Sequence, residues 1–231
     1  SAYGEHGAIV HYSADEKSNV PLKEGKLFMT DTGGHYLEGS TDITRTVALG
    51  EVGNIEKEHF TLVARAMLRL ANTVFLYGCS GANLDCIARE VFWKEGLNFN
   101  HGTGHGVGYL LNIHEGPINF RWKEGERPAP ALEENMVITD EPGIYIEGSH
   151  GIRLENELLV RKTVKNEYGQ FMNFEILTYV PIDLDAILPE KMSTEEKEML
   201  NHYHKQVYEK VSPYLSEEER IWLKEYTRAV K

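Results

Sequence analysis

The sequence predicts an α+β domain followed by a helical tail, and three observations carry that reading. Two stretches, 26–49 and 135–181, are strand-like, punctuated by turn residues, and carry acids at their ends. Between them, apolar residues recur at three-and-four spacing, the mark of amphipathic helices. Beyond Pro189 the character changes to charged segments, each opened by a serine.

The elements follow in order. Lys26, Leu27, Phe28 and Met29 form a strand that enters the glycine-rich DTGGHYLEGS turn, and residues 43–49 resume a β-type run. Phe60, Val63, Ala64, Met67, Leu70, Ala71 and Val74 line one face of a long helix, with Asn54 as its N-cap and Gly78 as its stop. A second helix begins near Asn83, buries Leu84, Ile87, Ala88, Val91 and Phe92, and ends at Gly96. Both stripes read as core. Within 135–181, residues 148–151 and 166–170 are turns between strands. In the tail, Ser193 with Glu196 and Ser216 with Glu219 fit capping boxes. The sequence divides into a domain at 1–189 and a tail at 190–231, and the tail's Tyr and Trp suit either docking or dimerisation, with a homodimer as one outcome, or packing on the domain.

Five residues in glycine-, proline- or strand-rich contexts form the chemical signal: Asp31, Asp42, His105, Glu141 and Glu155. A lone Asp in a glycine-rich turn is ordinarily a turn former, and most acids in an acidic chain are solvated. The joint occurrence of GHYLEGSTDITRT, HGTGHG, TDEPG and GIRLENE is too specific for that explanation. Four carboxylates in one site repel one another unless cations balance them, and two divalent ions would do so. Oxygen donors with one imidazole and no thiolate favour Mn2+ first, with Zn2+ or Co2+ as reserves.

These segments, in this order, resemble the pita-bread metallopeptidases, and among them aminopeptidase P, over residues 7–183. The resemblance implies the creatinase/aminopeptidase fold, with curved antiparallel sheets flanked by helices and a C-terminal helical tail. It also implies an Xaa-Pro aminopeptidase of the longer, three-domain branch, acting through a hydroxide that bridges two metal ions. Asp42 and Glu155 would bridge the ions, Asp31 would chelate the second, and His105 and Glu141 would complete the first, Glu141 also carrying the proton. His11 and His114 would contact the substrate carbonyl, His101 would line the proline pocket, and Tyr145 and Arg153 would orient the ligands. His6, His35, His59, His150, His202 and His204 read as surface or packing residues. The family carries further segments before the position of His11, whereas this chain starts almost on top of it, so a fragment, a processed chain or a short member is implied. Activity of the chain alone is correspondingly in question. The alternatives are a metal-free binder on the same fold, or a prolidase or methionine aminopeptidase with the same ligands.

Composition sets the remaining bounds. At 231 residues, 41% hydrophobic and 26% charged, the chain suits one sizeable globular domain with an appendage. A formal charge of −12 argues against nucleic acid or an anionic membrane as partner; the resemblance implies peptides with proline at the second position. Cys79 and Cys86 match no zinc or redox spacing, and no leader or membrane-length apolar run appears, so the expected location is cytoplasmic.

Overall fold

The computed structural model describes residues 1–123 and 128–231. In chain order it contains β1 (Ala2–Tyr3), β2 (Lys26–Tyr36), β3 (Gly39–Leu49), α1 (Asn54–Ala71), β4 (Phe75–Leu76) and α2 (Gly81–Lys94). There follow β5 (Gly104–His105), β6 (Asn119–Phe120), β7 (Val137–Asp140), β8 (Gly143–Ile146), β9 (His150–Arg153), β10 (Asn156–Asn166) and β11 (Gly169–Ile176). The tail supplies α3 (Thr194–Val211) and α4 (Glu217–Tyr226). The strands form antiparallel sheets in the orders β1-β2-β3 and β4-β11-β10-β7, with the ribbons β5-β6 and β8-β9 beside them. The α+β expectation holds. Among the described residues no helix is long and apolar enough to cross a membrane.

Three boundaries differ from the sequence expectation, each for a physical reason. The strand that was expected to give way to a turn at Asp31 runs on to Tyr36, paired rung for rung with β3, so the turn is only Leu37–Glu38. Gly33 serves this ladder through its missing side chain, because a Cβ there would collide with the carbonyl of Thr41. Helix α1 stops at Ala71, well before Gly78, since Phe75 and Leu76 are claimed by β11 through the pairs Met172↔Phe75 and Phe171↔Leu76. Val74 accordingly lies outside the stripe and is exposed, while the other six predicted positions of α1 are buried. Helix α2 starts at Gly81, where the Asn83 side chain accepts a hydrogen bond from the backbone N–H of Ser80 at 2.8 Å.

Both serine capping boxes of the tail are present: Ser193 pairs with Glu196 and Ser216 with Glu219. Leu200, Tyr203 and Val207 of α3 are buried in the same apolar cluster as Phe60, Met67 and Leu70 of α1. Tyr214, Ile221 and Trp222 stay exposed.

Candidate metal centre

The β2–β3 hairpin creates the acidic face. Asp31 stands opposite Thr44 and Asp42 opposite Gly33, so the two aspartates are diagonal neighbours on one side of the ladder. β7 ends at Asp140 and delivers Glu141, whose N–H donates to the Thr103 carbonyl at 2.7 Å. β9 delivers Glu155, whose N–H donates to the Thr44 carbonyl at 3.0 Å. His105 arrives on β5, its N–H donating to Thr139 Oγ1 at 3.1 Å. All five lie around one cavity of about 380 Å³, with His11, His114 and Arg153 in its wall.

The hydrogen bonding of His105 fixes what this cavity can hold. Its Nδ1 donates to the Gly106 carbonyl at 2.9 Å, which leaves Nε2 as a lone pair. That lone pair faces Asp42 Oδ2 at 3.5 Å and Glu141 Oε1 at 3.5 Å. With the two carboxylates ionised, three acceptors converge there with no donor between them. Donor atoms of Asp42, His105 and Glu155 lie within 4.8 Å of one another, a spacing one cation can span. A His ligand whose second nitrogen is committed to a backbone carbonyl is also the usual arrangement in metal sites.

The charges point the same way. Burial first, then the neighbouring Asp31, raises Asp42; burial, with Asp42 adding, pushes Glu141 up to about 7. Burial followed by repulsion from Glu141 and Asp42 pushes Glu155 well above the carboxylate range. His105 is lowered, chiefly by burial, which favours the neutral imidazole. Burial and mutual repulsion thus make the ionised carboxylates costly, and divalent ions would offset that cost. The donor set of oxygens with one imidazole fits such ions.

Arg153 organises the wall. Only 3% exposed, it donates to Asp31 Oδ2 at 2.8 Å, Tyr145 Oη at 3.0 Å and Thr44 Oγ1 at 3.1 Å. Tyr145 in turn donates to His101 Nε2 at 2.9 Å, while His101 Nδ1 donates to the Gly102 carbonyl at 2.7 Å. His101 is neutral, pulled down to about 4 mainly by burial. It sits behind the metal-centre cavity rather than in its wall, and borders a separate hollow with Arg121 and Lys123. The His114 ring lies edge-on to His105 with centroids 4.2 Å apart.

Sequence reading missed several members of this site. His35, taken as surface or packing, lines the cavity; its even spacing from Asp31 along β2 was the available signal. Thr44, fully buried, donates to Glu155 Oε2 at 2.7 Å, and Glu157 accepts from the N–H of Asp42 at 3.0 Å. Of the remaining histidines, His59 and His150 bond to each other at 2.8 Å, and His204, on α3 of the tail, is fully buried.

Residues 1–162 match metallopeptidase family M24, and residues 170–230 match the C-terminal region of the same peptidases. The chain is 39% identical over 235 residues to a probable Xaa-Pro aminopeptidase P of Paracoccidioides brasiliensis, covering 100% of this chain and 38% of that protein. Against aminopeptidase P1 of Arabidopsis thaliana it is 38% identical over 233 residues, covering 100% of this chain and 36% of the relative. The fold superposes with a TM-score of 0.93 on an X-prolyl aminopeptidase from Caenorhabditis elegans, described as a cytosolic enzyme with a di-nuclear active site, at 36% identity, covering 99% of this chain and 38% of that one. An Xaa-Pro dipeptidase from Bacillus anthracis follows at a TM-score of 0.63 and 34% identity, covering 79% of this chain and 46% of its own. The chain therefore spans little more than a third of the length of the curated relatives it matches.

Proposed function

The chain belongs to metallopeptidase family M24, and on that premise we propose that it is the catalytic part of an Xaa-Pro aminopeptidase, removing the residue that precedes proline at a peptide's N-terminus. The observation that carries the reading is the convergence of the His105 lone pair with the Asp42 and Glu141 oxygens, 3.5 Å from each. Residues 1–189 would form the catalytic domain and 190–231 its tail.

Asp31, Asp42, His105, Glu141 and Glu155 would hold two divalent ions, Asp42 and Glu155 being shared between them, with manganese as first choice. When bound, the ions supply a Lewis acid and a water acidified towards neutrality. The chain's own residues do the rest. Glu141 takes a proton and returns it to the leaving proline nitrogen. His11 and His114 donate hydrogen bonds to the carbonyl oxygen as charge develops there, the usual use of fixed donors at an oxyanion. Arg153 holds Asp31 in place, and Tyr145 ties Arg153 to His101, whose rigid neutral ring is assigned to the proline side of the substrate. A cytosolic setting is supported by the Caenorhabditis elegans relative, described as a cytosolic enzyme.

A peptide panel tests this. Xaa-Pro-Yaa peptides should be cleaved after Xaa, and Xaa-Ala-Yaa analogues far more slowly. Exclusive cleavage of Xaa-Pro dipeptides would make the protein a prolidase, preference for Met-Ala peptides a methionine aminopeptidase, and no turnover with any of them a binding protein.

A further inference from the structure

Next to the metal centre lies a buried cation that the chemistry above does not use. Arg45 follows Thr44 on β3 and is 5% exposed. Among the described residues no carboxylate pairs with it. Its donors end instead on neutral acceptors: Nη1 on the carbonyls of Glu155 and Thr44 (2.5 and 2.9 Å), Nε on Pro181 O (3.1 Å), and Nη2 on Asn156 Oδ1, Tyr203 Oη and Val180 O (2.7, 2.8 and 2.9 Å). A buried, uncompensated guanidinium is expensive, so its arrangement calls for a reason.

The acceptors supply one. Two belong to the Glu155–Asn156 step, and three belong to the chain that leads into the tail or to the tail itself. Tyr203, on α3 and 1% exposed, continues the network by donating to Val180 O at 2.7 Å. Arg45 and Tyr203 thus clamp the Glu155 backbone between β3 and the tail. On its other side, among the described residues, hydrogen bonds hold it only to Thr44, through its N–H and its carboxylate.

We propose that Arg45 and Tyr203 are positioning residues that fix Glu155 as a metal ligand, so that helix α3 of the tail is a working part of the metal centre. The inference rests on the proposed reading of Glu155 as a ligand.

Two readouts on the full chain separate the two ideas. Hydrogen exchange of the metal-free protein over 153–157 reports the clamp without any ion, with α2 as internal control. Manganese titration by calorimetry reports the ligand. In Arg45→Met and Tyr203→Phe, exchange at 153–157 should rise about tenfold or more while α2 is unchanged, and manganese affinity should fall by about 10–100-fold, the usual effect of removing a group that orients a ligand. Arg45→Lys, which keeps the charge but loses the fork, should recover only part of the affinity. Should Arg45→Met not fold, Tyr203→Phe carries the test, since phenylalanine preserves the buried ring. Unchanged exchange at 153–157 in a folded variant would overturn the clamp. Raised exchange with unchanged manganese affinity would overturn its link to the metal centre. A wild-type chain that binds no manganese would overturn the reading of Glu155, and the proposal with it.

Discussion

Thr44→Val isolates a single hydroxyl at the heart of the site. Valine keeps the branched shape, so packing around this fully buried position barely changes. The hydroxyl makes two bonds: it donates to Glu155 Oε2 at 2.7 Å and accepts from Arg153 Nε at 3.1 Å. Removing it leaves a buried acceptor and a buried donor unsatisfied. Each such group costs about 1–3 kcal/mol, so the two together give roughly 2–6 kcal/mol. Against a stability on the order of 5–15 kcal/mol the variant remains folded but measurably weaker. Urea unfolding of the metal-free protein, followed by the fluorescence of its three tryptophans, should show a midpoint lowered on the order of 1 M. A loss under about 0.5 kcal/mol would mean that neither Glu155 nor Arg153 depends on the Thr44 hydroxyl.

Asp42→Ala and His114→Ala should fail differently. The first removes a proposed shared ligand, and calorimetry should show lost or much weakened metal binding; the second keeps all five proposed ligands and should lower kcat by about 10²–10³ in a preparation that turns over Xaa-Pro peptide. Acid should weaken the fold through His204, whose imidazole is held down to about 4 by burial and then by nearby Arg45. In the unfolded chain it titrates near ~6.5, so between those values the unfolded state binds a proton that the folded state refuses. The stability it contributes is complete above pH ~6.5 and falls as pH drops towards 4, by about 3 kcal/mol in all. Replacing it by asparagine should flatten that part of the stability-against-pH curve relative to wild type, and identical slopes would contradict the assignment.

The sequence was most legible where chemistry and local geometry coincide. Asp31, Asp42, His105, Glu141 and Glu155 stand in segments whose glycines and prolines are themselves unusual, and all five meet at one cavity. The capping boxes at Ser193 and Ser216 were readable because they are satisfied within four residues. Arg45, Thr44 and Tyr203 were not, since their roles depend on partners more than 100 positions away, and an Arg or Thr in a strand looks like ordinary surface. The glycines at 33 and 34 misled for a related reason. Gly-Gly signals a turn locally, but here Gly33 admits the Thr41 carbonyl against the strand, which only the paired strand reveals. The end of α1 was set by β11, again a distant partner overriding a local pattern.

Asp31, Asp42, His105, Glu141 and Glu155 are proposed to hold two divalent ions. Elemental analysis after reconstitution with manganese and exhaustive removal of free ion tests it most directly. Two ions per chain are expected, with binding weakened as pH falls and protons compete for His105 and the carboxylates. Two ions retained with Asp42 and Glu155 both replaced by alanine, or no more than one in the wild type, would contradict it.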